Sequence, residues 1–164
     1  MTQSSNSGVE RKRSLAETVE AAMRFEYNAH RFYGSLKAIM GEAACELAGK
    51  LADEKFRNSM LLRDLADSAH ARDHHEDMLP IPLSDRRFSG FTQIPVINDQ
   101  PNCRDLLTFA LGRERAAADQ YAALAQNMPI GPIRDMFQRL ADDEMRHAQE
   151  LEKLDPNTVR KTTS

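Results

Sequence analysis

Four residues of this sequence have the types and spacing to hold a metal ion: Glu26, Glu114, Glu144 and His147. Glu144 and His147 stand three positions apart, which on a helix puts a carboxylate and an imidazole on one face, about one turn apart. Leu140 and Leu151 share that face. Burying both groups unpaired among leucines is costly, and a divalent cation that neutralises the one and coordinates the other removes the cost. A single E-x-x-H is a weak signal, since most such pairs are solvated surface pairs. Glu26 and Glu114 strengthen it. At roughly 100° per residue, Glu26 shares a stripe with Val19, Met23 and Tyr33, and Glu114 shares one with Leu107, Leu111 and Tyr121. In an antiparallel bundle the two can meet Glu144 at one level, as the ligands of a carboxylate-bridged pair of metals do.

The elements that must position these residues are helices. All seven prolines lie from Pro80 onward, so the first 79 residues lack the strongest helix breaker. Ser14 and Glu17 have the spacing of a capping box and open a first helix that runs to about Met40. Gly41 marks a reversal into a second helix, which fades between Asp67 and Asp77. Residues 79–102 are proline-rich and aperiodic and read as a long crossover. Asn102 caps a third helix, and the Met128-Pro129-Ile130-Gly131-Pro132 run separates it from a fourth that Asp155-Pro156 closes. The expectation is an all-α four-helix bundle over 14–155, two hairpins joined by one long crossover, with flexible ends at 1–13 and 156–164 and almost no support for strands.

An internal repeat runs through this plan. Glu26-x-x-Ala29-x-x-x-Tyr33 recurs as Glu114-x-x-Ala117-x-x-x-Tyr121, displaced by 88 residues, and Leu51-Ala52-Asp53 recurs as Leu140-Ala141-Asp142, displaced by 89. Two matches at nearly one offset point to a duplicated helical hairpin and a pseudo-symmetric bundle.

With these motifs the sequence resembles the rubrerythrin and ferritin-like family over about residues 15–154, and the rubrerythrin branch in particular. The resemblance implies a di-iron centre between four helices that reacts with dioxygen or peroxide. It would take part in iron oxidation or in the oxidant removal that guards against oxidative stress. It implies Glu26 and Glu114 as terminal ligands, Glu144 as a bridge, His147 as a nitrogen ligand, and Tyr33 and Tyr121 as hydrogen-bond partners of ligand carboxylates. It also implies a homodimer. The paired C-x-x-C motifs of a rubredoxin-like tail are absent, so an oxidoreductase of this kind would need a separate electron donor or the electrons of ferrous iron itself.

The pattern breaks on the second helix, where the family has another E-x-x-H. Aligned without gaps, Glu144 and His147 fall on Lys55 and Asn58; shifted by one residue, Glu54 takes the bridge position with Arg57 as its partner. Either register is open on the helical wheel. With Lys55 inward, its ammonium pairs with the carboxylates and at most one metal remains, on Glu114, Glu144 and His147. With Glu54 inward, His30, four residues after Glu26, can supply the missing nitrogen; the plainer reading of His30 is a partly exposed or hydrogen-bonded core histidine.

Composition narrows the function classes. A net charge of −3 with 29% charged residues favours neither nucleic acid nor an anionic membrane, and the basic run Arg11-Lys12-Arg13 is short. No apolar stretch nears the ~20 residues of a membrane span, and Met1 to Ser14 lacks the apolar core of a secretory signal, so the expected address is cytoplasmic. Cys45 and Cys103 form no framework. His70, His74 and His75 sit among Asp67, Arg72, Asp73, Glu76 and Asp77 and read as a solvated segment near a helix end rather than a metal site. Two rivals to di-iron chemistry follow from Lys55: a bundle without catalysis that serves as an interaction module, and a single zinc or manganese site.

Overall fold

The computed structural model describes residues 12–80 and 102–154. Four long helices form it: α1 (Leu15–Leu36), α2 (Glu42–Ala66), α4 (Cys103–Gln126) and α5 (Pro132–Glu152), with a short α3 (Ala69–Asp73) after α2. The expected flexible ends lie mostly, and the crossover almost wholly, outside the described residues. The chain is all-α in its core, and its third and fourth expected helices are α4 and α5.

Local chemistry explains the starts and stops. Ser14 accepts from the Glu17 amide at 3.2 Å while Glu17 accepts from the Ser14 amide at 2.8 Å, so the capping box closes in both directions. α1 ends at Leu36, four residues short of the expected Met40, because the backbone tightens there: Ile39 and Met40 both donate to the Leu36 carbonyl at 3.1 Å. Met40 is buried, so the reversal is anchored by its own side chain. Asn102 caps α4 through two backbone amides, and Pro132 opens α5. Gly131, just before it, has φ 156° and ψ −176°, a region open in practice only to glycine.

A short ribbon closes this end of the bundle. Lys12–Ser14 (β1) pairs antiparallel with Met78–Pro80 (β2), the one place among the described residues where strands, which have almost no support in the sequence, form. Backbone bonds from Leu15 to Asp77 (2.9 Å) and from Ala16 to His75 (3.1 Å) continue this tie. Three-residue strands carry no periodicity a sequence can display; pairing across 63 intervening residues creates them.

The long helices pack chiefly as two hairpins, α1 with α2 and α4 with α5, and α2 also meets α5. Their inward faces build two apolar plugs. One contains Val19, Phe25, Leu62, Tyr121, Phe137 and Leu140; the other contains Phe32, Tyr33, Leu36, Leu51, Leu107 and Leu151. Between the plugs lies a belt of charged side chains.

Candidate metal centre

The belt consists of Glu26 on α1, Lys55 on α2, Arg113 and Glu114 on α4, and Glu144 and His147 on α5, and none of the six exposes more than 1% of its surface. Their helices carry Glu26, Glu114, Glu144 and His147 inward at the positions the apolar stripes predict, and Lys55 and Arg113 join them there. The two tyrosines cross between hairpins: Tyr33 donates to Glu114 Oε1 and Tyr121 donates to Glu26 Oε1, each at 2.7 Å. This reciprocity is the duplicated hairpin written in hydrogen bonds. Burial, and then the facing carboxylates, push both phenols well above the usual tyrosine range, so both remain donors.

The same pseudo-symmetry relates α2 to α5, and there the two halves differ. His147 Nδ1 lies 3.3 Å from Glu114 Oε2; at the equivalent place Asn58 Nδ2 lies 3.5 Å from Glu26 Oε2. Lys55 stands where Glu144 stands in the other half. Its Nζ bonds Glu144 Oε2, lies 2.7 Å from Glu114 Oε2 and 3.7 Å from Glu26 Oε2, and so touches all three carboxylates. Burial works against its charge, but the three carboxylates outweigh burial and hold the ammonium above its ordinary range.

Of the two open registers, the ungapped one therefore describes the core. Glu54 does not bridge at the level of Glu144. It sits half-buried at the edge, where it accepts from Arg146 at 2.8 Å and lies 2.6 Å from His147 Nε2. These hydrogen bonds overcome partial burial and hold its carboxyl at about 2. His30 stands apart from the belt too. Its Nδ1 meets the Ala52 carbonyl at 2.9 Å and its ring packs between Tyr27 and Phe56, so the plainer reading of this histidine describes it.

Arg113 was missed at the sequence level. Its guanidinium covers the Phe25 ring at 3.8 Å, donates to the Phe25 carbonyl at 2.8 Å and lies 3.7 Å from Glu114 Oε1. A signal existed: Arg113 stands three residues after Ala110 and four before Ala117, on the buried side of its helix, at the repeat position of Phe25.

The charges decide what the belt can hold. Three carboxylates face two cations, Lys55 and Arg113, so one proton brings the belt to neutrality. Burial and the nearby Glu114 and Glu26 carboxylates raise Glu144 well above the carboxylate range, whereas Lys55, against the burial penalty, holds Glu114 well below it. Burial works against the charge on His147, but hydrogen bonds to Glu114 and Glu144 raise the imidazole to about 10, so Glu144 and His147 are the two groups placed to share that proton. Glu114, Glu144 and His147 place one donor atom each within 4.8 Å of one another, which suits a single ion with oxygen and nitrogen ligands. Among the described residues Glu144 Oε1 is buried with no hydrogen-bond partner, which leaves it for an ion. A divalent ion in exchange for the proton leaves one net positive charge. A second ion leaves three in a dry core, and its place and nitrogen ligand are taken by Lys55 and Asn58. One ion fits this donor set; two do not.

Two comparisons with known proteins bear on the second hairpin and on the fold. Residues 105–157, which hold Glu114, Glu144 and His147, match the rubrerythrin family model. The fold matches the crystal structure of a Thermotoga maritima protein described as ferritin-like and diiron-carboxylate, at a TM-score of 0.70 and 17% identity, over 87% of this chain and 95% of that one. No curated protein matches this sequence. The second hairpin is thus similar to the rubrerythrin family, and the four long helices share the fold of a ferritin-like bundle.

Proposed function

We propose that this protein binds one divalent metal ion, iron first among the candidates, at Glu114, Glu144 and His147, and that Lys55 occupies the place of a second. The observation that carries this reading is the Lys55 ammonium in contact with Glu26, Glu114 and Glu144 at once. Manganese or zinc suits the same donors.

Each residue has a part in loading. Tyr33 holds Glu114 by Oε1 and leaves Oε2 toward the site. His147 Nδ1 must release its proton before it can ligate. Glu54, 2.6 Å from Nε2, keeps a proton on that nitrogen and orients the ring, an arrangement common behind metal-bound imidazoles. Lys55 must release Glu144 Oε2 or share it. A bound ion would supply Lewis acidity in a core closed to bulk water. Reduction of peroxide or dioxygen by paired irons, and iron oxidation by such a pair, lie outside this reading, as does a dedicated electron donor. A homodimer remains part of it, and exposed Tyr27, Phe56 and Met60 on the α1–α2 side supply apolar surface for one; a monomer in analytical ultracentrifugation removes that element.

The test is metal per chain after anaerobic loading with ferrous iron, read with the melting temperature. About one ion per chain is expected, with an upward shift, because a ligand that binds only the native state stabilises it. Glu144→Ala and His147→Ala should lose both. Near two ions would overturn the role of Lys55. Near zero, with no shift, would favour a metal-free bundle serving as an interaction module; the observation on that side is that Lys55 already engages the two oxygens, Glu114 Oε2 and Glu144 Oε2, that an ion would use.

A further inference from the structure

Where α1 begins and α4 turns back into α5, a cavity of about 80 Å³ opens between Leu15, Met128 and Ile133 on its apolar side and His70, His74 and Asp77 on the other. The two histidines are four residues apart across α3, with ring centres 4.9 Å from each other and planes at 51°. Two imidazoles on one tetrahedral ion, at metal–nitrogen bonds of about 2.0–2.1 Å, hold their ring centres roughly 5 Å apart. Asp77 Oδ2 lies 2.9 Å from His74 Nδ1, which leaves Nε2 as the outward ligand atom and fixes the ring behind it. The segment is held in place, since the Asp77 and His75 carbonyls accept from the first amides of α1. His75 does not line the cavity and has both ring nitrogens near other groups, Nδ1 2.6 Å from the Arg72 carbonyl and Nε2 3.5 Å from Glu76 Oε1.

We infer that His70 and His74, with Asp77 behind His74, form a second metal site, specific for an imidazole-seeking ion such as zinc and separate from the core belt. In sequence these residues look like a solvated charge-rich turn; the ring spacing, the carboxylate behind one imidazole and the tie to α1 are tertiary. Two protein ligands leave positions open to water or to a carboxylate from another molecule. The site is independent of the single-ion reading of the core.

The probe is zinc alone, titrated against a competing chromophoric chelator while the histidine ring resonances of the whole chain are followed by NMR. In Glu144→Ala, which removes a core ligand, the rings of His70 and His74 should shift together and saturate at about one equivalent of zinc. The zinc-induced ring shifts should persist in Glu144→Ala, and the shift of the remaining ring should vanish in His70→Ala and in His74→Ala. Asp77→Asn should weaken zinc binding at these rings by about tenfold or more, the usual effect of losing the group behind a ligating imidazole. Unmoved His70 and His74 resonances in the wild-type chain would overturn the site, as would an unchanged shift of the remaining ring in both alanine variants or a loss caused by His75→Ala alone. If Glu144→Ala fails to fold, the ring resonances of the wild type decide.

Discussion

Lys55 is the residue on which the core turns. A lysine in a dry belt is tolerable only because three carboxylates meet it, and they in turn depend on it, since Glu114 and Glu144 have few other cations within reach. Replacing both sides of a buried ion network can be nearly neutral, whereas removing one side leaves charge uncompensated. Lys55→Met should therefore destabilise the fold by about 3–5 kcal/mol in chemical denaturation, despite adding an apolar side chain to an apolar core. A loss under about 1 kcal/mol would mean that the carboxylates carry protons and do not need the ammonium. The two tyrosines act on the same oxygens from the other side, and Arg113 supplies the second cation.

Among the elements, α1 is stabilised at its start by chemistry legible in four residues. Glu17 is held below the usual carboxylate value of 4.5, first by the Ser14 amide and then by the Ser14 hydroxyl. A carboxyl depressed in the folded state contributes stability that is present above its unfolded pKa and is lost as pH falls through the folded one. Between about pH 3 and 6 the melting temperature of wild type should therefore fall on acidification more steeply than that of Glu17→Gln. Parallel curves would show that the box adds nothing to the cap. The exchange of apolar plug, charged belt and apolar plug along each long helix follows from one heptad-like stripe carrying a charged residue mid-length, as with Glu26 on α1 and Glu114 on α4.

At the scale of the whole molecule the bundle is a repeated hairpin whose halves differ at two of the expected ligand positions. α5 keeps Glu144 and His147; α2 has Lys55 and Asn58 at the equivalent places. If divergence at those two positions is what limits the core to one ion, the change is reversible. The double variant Lys55→Glu with Asn58→His should raise iron from about one to about two per chain and cancel the excess positive charge that a second ion would leave. Iron that stays at one per chain in a folded double variant would place the limit elsewhere, with Arg113 the next group to neutralise.

The fold class, the helix order and the capping box were legible in the sequence, because apolar spacing, cap residues and proline placement act within a few residues of each other. Glu26, Glu114, Glu144 and His147 were legible for the same reason: each is a charged residue on an apolar stripe, and the repeat ties the stripes together. The register of α2 was not. Glu54 and Lys55 straddle its inward face, and only the packing of α2 against α5 sends Lys55 to the carboxylates and Glu54 to Arg146. His30 and the pairing of β1 with β2 were decided in the same way, by partners far away in sequence. Local spacing sets which residues share a face, and the neighbour that face meets, with the charge it carries, sets what the face can bind.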